Sequence, residues 1–141
     1  MTEAAIQNIT LRCAATAASL ALCLTLATTG YVVASENRIS ATVARVTDGD
    51  TFRLMGVKRA IRVWGLDAPE RKEPAGPAAT AAMRDLITNQ TLTCEIKYID
   101  RYDRFVGQCF LPDGRDIAAE MIRMGVATEY CRYSGGYYGT C

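Results

Sequence analysis

The chain has 141 residues, half of them apolar, which suits one domain with a packed core and leaves too little for two. It contains no histidine, which excludes a histidine general base, a histidine nucleophile and histidine-based zinc sites; acid–base work near pH 7 falls to carboxylate, lysine, tyrosine or bound water. With 16 Lys and Arg against 15 Asp and Glu, any polyanionic partner has to be held by a local patch rather than by net charge.

Residues 1–35 differ from the rest. The run from Cys13 to Ser35 carries no charge and is rich in Ala, Leu and Thr, long enough as a helix to cross a bilayer core. Two readings fit this expected hydrophobic helix. As a secretory signal, Arg12 is the positive flank, Leu20–Leu26 the apolar heart and Val32-Val33-Ala34 a small-residue cleavage site. As an uncleaved anchor, the segment over residues 13–35 holds the following domain on the outer face of the membrane. The threonines and the cleavage site favour the signal, and either reading exports the domain, residues 38–141, to the periplasm or the medium.

From Ile39 to Val46, β-branched residues in near alternation predict a half-buried strand. Asp48-Gly49 is a turn dipeptide, and Thr51–Leu54 resumes the strand pattern, so a hairpin is expected. Val57–Leu66 supplies a third strand, which stops at Asp67-Ala68-Pro69-Glu70 because proline cannot continue a ladder. Glu70–Pro77 is charged and rich in breakers, a surface loop, and Pro77 sits well as the first residue of an alanine-rich helix over 78–87. Thr91–Ile99 and Phe105–Leu111 read as two further strands, and Asp116 as the start of a helix over 117–124 ended by Gly125. Val126–Thr128 is short and extended.

An exported domain sits in an oxidising compartment, where Cys94, Cys109, Cys131 and Cys141 are expected to form disulfides. Four cysteines allow three connectivities. Cys94 and Cys109 flank Arg101-Tyr102 symmetrically, so a hairpin there sets them opposite each other, and Cys131 then pairs with Cys141 by elimination.

The expected architecture is mainly β, an α+β chain of five strands with one helix between the third and fourth and a second after the fifth. That pattern matches the Greek-key barrel of the oligonucleotide/oligosaccharide-binding (OB) fold, and equally a generic antiparallel α+β domain. The charged residues narrow the choice. Asp48-Gly49-Asp50 places carboxylates at a turn, Arg62 lies in the otherwise apolar run Ile61–Leu66, and that run ends in Asp67 and Glu70. Oxygen-only ligands suit a hard divalent cation, a guanidinium grips an anion, and a spare glutamate can activate water. Taken singly, Asp48-Gly49-Asp50 is most simply a solvated hairpin turn and Trp64 a core residue.

Asp48-Gly49-Asp50-Thr51, Arg62 upstream of Asp67-Ala68-Pro69-Glu70, and Asp100-Arg101-Tyr102-Asp103-Arg104, in that order, resemble the staphylococcal nuclease (thermonuclease) family over about 41–133. The resemblance implies a calcium-dependent phosphodiesterase acting on DNA and RNA, built on the five-stranded barrel and expected to work as a monomer. It assigns calcium to Asp50, Asp67 and the backbone carbonyl of Ala68. Arg62 and Arg104 become catalytic arginines and Glu70 the general base. Arg101 and Tyr102 flank the nucleotide phosphate, and Tyr133 is assigned stacking or phosphate contact. Asp103 stands where the family pattern has glycine, adding negative charge beside Arg104. A second reading, a non-catalytic OB-fold module that binds nucleic acid or another ligand, differs in having no use for Glu70.

Overall fold

The computed structural model describes residues 37–141, so the hydrophobic helix expected over residues 1–35 lies outside the described residues. In chain order the elements are β1 (Arg38–Val46), β2 (Thr51–Leu54), β3 (Ile61–Val63), β4 (Leu66–Asp67), α1 (Gly76–Ile87), β5 (Thr91–Ile99), β6 (Phe105–Phe110), α2 (Ile117–Arg123), β7 (Thr128–Glu129) and α3 (Cys131–Ser134). Five strands close into a barrel in the order β1-β2-β3-β6-β5. Closure depends on β1, which pairs along its first half with β5 and along its second with β2, turning through a register shift between Val43 and Arg45. The β3–β6 pairing is parallel, and the other barrel pairings are antiparallel.

Alternation along the strands puts Phe52, Ile61, Val63, Leu92, Cys94 and Cys109 inside the barrel, each with essentially no solvent exposure. Helix α1 plugs this interior with Ala79, Met83 and Ile87, spaced to share one face of the helix. Burying a side chain of the size of Met83 or Ile87 contributes about 1.5–3 kcal/mol. The helix ends before Asn89, which takes the left-handed conformation with φ 63°. Asp116 caps α2 as expected, accepting from the N–H groups of Ala118 at 2.8 Å and Ala119 at 3.3 Å. Both disulfides are formed as the cysteine spacing predicts. Cys94 and Cys109 are register partners on β5 and β6 with Cα atoms 4.0 Å apart, and Cys131 is joined to Cys141.

Two expectations change. The strand predicted over Val57–Leu66 is only Ile61–Val63, followed by a turn at Gly65 (φ 70°) and the two-residue β4. Beyond Val63 the backbone leaves the β2 ladder, with the Trp64 N–H donating to the Gly107 carbonyl at 2.8 Å. The second change is a third helix, α3, which no local pattern signals; four residues cannot hold a helix alone.

What holds that segment is Glu129. Its carboxylate accepts from the Ser134 hydroxyl at 2.6 Å, the Tyr138 N–H at 3.0 Å, and the Thr140 N–H and hydroxyl at 2.9 and 3.0 Å. Burial works to raise the Glu129 pKa, but these four donors outweigh it and bring the group from 4.5 down to about 2. Because the folded value is depressed, the stabilisation of the tail is fully present above pH 4.5 and is lost as pH falls through about 2. An acid titration followed by tail resonances in NMR should show residues 130–141 loosening between those limits; release above pH 4.5 would contradict the clamp.

Candidate active site

The site is built where β3 leaves the barrel. Arg62 faces Thr51 of β2 and Val106 of β6 in the sheet register, so its side chain emerges at the barrel wall with its backbone held on both sides. The guanidinium forms an ion pair through Nη1 with Asp50 and donates from Nη2 to the Leu66 carbonyl at 3.2 Å. Nη2 also lies 3.9 Å from Asp67 Oδ1. The Asp50 side chain is buried and accepts from the Thr51 hydroxyl at 2.8 Å, while its carbonyl accepts from the Val63 N–H at 2.9 Å. Asp48 caps the same turn, its Oδ1 accepting from the Asp50 N–H at 3.2 Å; burial first, then the Asp50 charge, push the Asp48 carboxyl above its ordinary 3.8.

The turn sits this close to the next segment because of Gly49. A Cβ there would lie 2.7 Å from the Ala68 Cβ and 2.8 Å from the Ala79 Cβ. Asp50 therefore meets Ala68, whose N–H points at Asp50 Oδ2 at 3.4 Å.

Arg104 approaches from the β5–β6 connection. Asp100 shapes that connection by accepting from the N–H groups of Tyr102 at 2.9 Å and Arg104 at 3.0 Å, and from the Arg104 guanidinium at 2.8 Å. Burial of Asp100 opposes ionisation, yet the hydrogen bonds from Arg104 and Tyr102 prevail and hold its carboxyl below the ordinary value. The Arg104 guanidinium carbon lies 5.2 Å from the centroid of the exposed Tyr102 ring. Asp103 takes the left-handed conformation, φ 59°, that glycine would otherwise supply. Its carboxylate accepts from Arg59 Nε at 2.7 Å, so the added charge beside Arg104 has its own cation.

Arg62, Asp67, Glu70, Arg101, Tyr102, Arg104 and Tyr133 line one cleft of about 860 Å³. Asp50 is behind Arg62 rather than on the lining, and Ala68 lines a neighbouring hollow of about 460 Å³ that shares Asp67 and Glu70. Glu70 is exposed, and its backbone is pinned: its N–H donates to Glu73 Oε2 at 2.9 Å and its carbonyl accepts from the Glu73 N–H at 2.8 Å.

Asp50 and Asp67 both turn towards one guanidinium, so two carboxylates surround a single position suited to positive charge. Among the described residues no three acidic, histidine or cysteine side chains cluster. Two carboxylates alone supply only part of the oxygen set that a hard cation such as calcium needs, the rest falling to carbonyl, water or phosphate. The sequence does not single out Asp100 as the partner of Arg104, nor Tyr98 and Arg132 on the cleft wall. Asp100 stands four residues before Arg104 and is legible as a turn acid; nothing local marks the other two.

A family model described as "Staphylococcal nuclease homologue" matches residues 60–138, more than half of the chain. An "Uncharacterized endonuclease" of Escherichia coli is 38% identical over 98 residues, covering 68% of this chain and 64% of that protein. The "Succinoglycan biosynthesis protein ExoI" of Rhizobium meliloti (strain 1021) is 31% identical over 108 residues, 69% of this chain and 56% of that protein. A "Micrococcal nuclease" of Shigella flexneri is 34% identical over 103 residues, 66% of this chain and 59% of that protein. The chain thus spans less than two thirds of the length of these curated relatives. With a family model covering the barrel's β3, β5 and β6 and the cleft they carry, the chain belongs to the staphylococcal nuclease family.

Proposed function

We propose that the protein is an exported, calcium-dependent nuclease that hydrolyses phosphodiester bonds of DNA and/or RNA, acting as a monomer on an OB-fold barrel. The observation that carries this reading is that Arg62, Arg104 and Glu70, distant in sequence, line one cleft. The barrel order, with β3 parallel to β6 and α1 between β3 and β5, supports the OB-fold assignment. The names of the nuclease relatives support the reaction class, and the two disulfides support export.

In this mechanism Glu70 takes a proton from a water as its oxygen attacks phosphorus, and the bond from phosphorus to the leaving oxygen breaks. Charge builds on the non-bridging oxygens, and fixed donors aimed at that charge usually supply the largest share of rate enhancement. Arg62 and Arg104 each spend part of their guanidinium on an orienting carboxylate, Asp50 and Asp100 respectively, and present the remaining N–H groups to the phosphate. Calcium, where bound, would be held by Asp50, Asp67 and the Ala68 carbonyl and would supply further positive charge to the same oxygens.

The test is cleavage of denatured DNA and of RNA with calcium, then with chelator. Loss of cleavage on chelation and recovery with calcium are expected. Undiminished binding of the polynucleotide with no cleavage in calcium would replace this reading with the non-catalytic binding module.

A further inference from the structure

Four arginines line the cleft: Arg62, Arg101, Arg104 and Arg132. Arg62 and Arg104 are each paired with a carboxylate. Among the described residues no ion pair engages Arg101 or Arg132. Arg101 projects from the β5–β6 connection, its Nη2 donating to the Tyr102 hydroxyl at 2.6 Å. Arg132 comes from the tail, a different part of the fold, so two unpaired guanidiniums reach one cleft from separate elements.

The tail that carries Arg132 is firmly built. The Tyr130 N–H donates to the Gly65 carbonyl at 2.8 Å, tying the segment to the turn between Arg62 and Asp67. Cys131 is held by its disulfide to Cys141, and Ser134 by the Glu129 carboxylate. Arg132 is thus an exposed cation on a fixed base, with its guanidinium carbon 6.0 Å from the Tyr133 ring centroid. An unpaired cation facing a cleft that already holds a phosphate grip has one obvious counter-charge, another phosphate of the same strand. The cleft's volume, about 860 Å³, leaves room for more than the phosphate under attack.

We propose that Arg132 is a second phosphate contact, engaging a phosphodiester adjacent to the one being cut, so that the site favours a polynucleotide over an isolated diester. This rests on the nuclease reading above. A contact made through one phosphate has a defined signature: its removal weakens binding uniformly across base sequences and lowers the salt slope of single-strand binding by about 0.7.

The experiment compares wild type, Arg132→Gln and Arg132→Lys on a single-stranded oligothymidylate and on bis(p-nitrophenyl) phosphate, which offers only the scissile diester. Oligonucleotide binding is followed by fluorescence anisotropy over a range of salt. For R132Q the ratio of kcat/KM on oligonucleotide to that on the small diester should fall by about 5- to 10-fold, the loss of one charge-assisted contact. The salt slope should drop by about 0.7, and R132K should restore it. An unchanged ratio and slope would overturn the proposal. So would an equal loss on both substrates, which would place Arg132 at the scissile phosphate or in the fold. If the wild type neither binds the oligonucleotide nor cleaves either substrate, the nuclease reading itself fails, a result distinct from a wild type that works and a variant that matches it.

Discussion

Replacing Glu70 by glutamine is expected to lower kcat by about 10²- to 10⁴-fold, the usual contribution of a positioned general base. KM and melting temperature should stay near those of the wild type. Glutamine has the same shape and still lines the cleft, and the contacts that fix this residue are made by its backbone to Glu73, not by its side chain. The change therefore removes proton acceptance and little else. No histidine exists anywhere in the chain to take over. Glu73 belongs to the same loop, but its Oε2 accepts from the Glu70 N–H and it lines the neighbouring hollow rather than the cleft that holds the arginines. Steady-state kinetics on denatured DNA, beside a thermal melt, make the measurement. A rate within a few-fold of wild type would remove Glu70 from the reaction and shift water activation to another group.

The elements that were legible in the sequence are those whose cause is local. Thr91–Ile99 alternates and is bounded by turn residues, and β5 occupies those residues; Asp116 precedes an apolar helical pattern, and it caps α2. The run Val57–Leu66 shows where such reading stops. Its β-branched residues, Val57, Ile61 and Val63, are spread along the run, yet only Ile61–Val63 finds ladder partners within the barrel, because pairing is decided by β2 and β6. The same division holds in the site. Charged residues grouped by motif announce themselves, and the Arg104–Asp100 pair is local, whereas the pairing Arg59–Asp103 depends on how distant segments dock and the four-donor clamp on Glu129 on how an irregular tail folds back. Arg59 and Asp103 are 44 residues apart, and their ion pair settles what a sequence could only pose as a question, how the charge of Asp103 is balanced beside Arg104.

Gly76→Ala is expected to damage both stability and turnover, although the residue bears no chemistry. Gly76 is the first residue of α1, and a Cβ there would lie 1.9 Å from the Glu70 carbonyl oxygen, 2.7 Å from the Glu70 carbonyl carbon and 2.9 Å from the Arg71 Cα. All three are backbone atoms, which cannot swing aside as a side-chain tip would. Either the first turn of α1 lifts or the Glu70 segment moves, and α1 resists because Ala79, Met83 and Ile87 are fully buried in the barrel mouth. The exposed Glu70 loop should yield instead. Overpacking of this kind costs about 1–3 kcal/mol, and a displacement of a reacting group by about 1 Å can cost on the order of 10²-fold in rate. The expected result is therefore a lowered melting temperature with kcat reduced by about that factor. Gly56→Ala is the control, since Gly56 has φ 73° and open space around its missing Cβ. There the left-handed backbone alone is penalised, by about 1–2 kcal/mol, and turnover at a temperature where both variants are folded should be that of the wild type. Full turnover in G76A would show that the loop absorbs the methyl without moving Glu70, and that the glycine serves the fold alone.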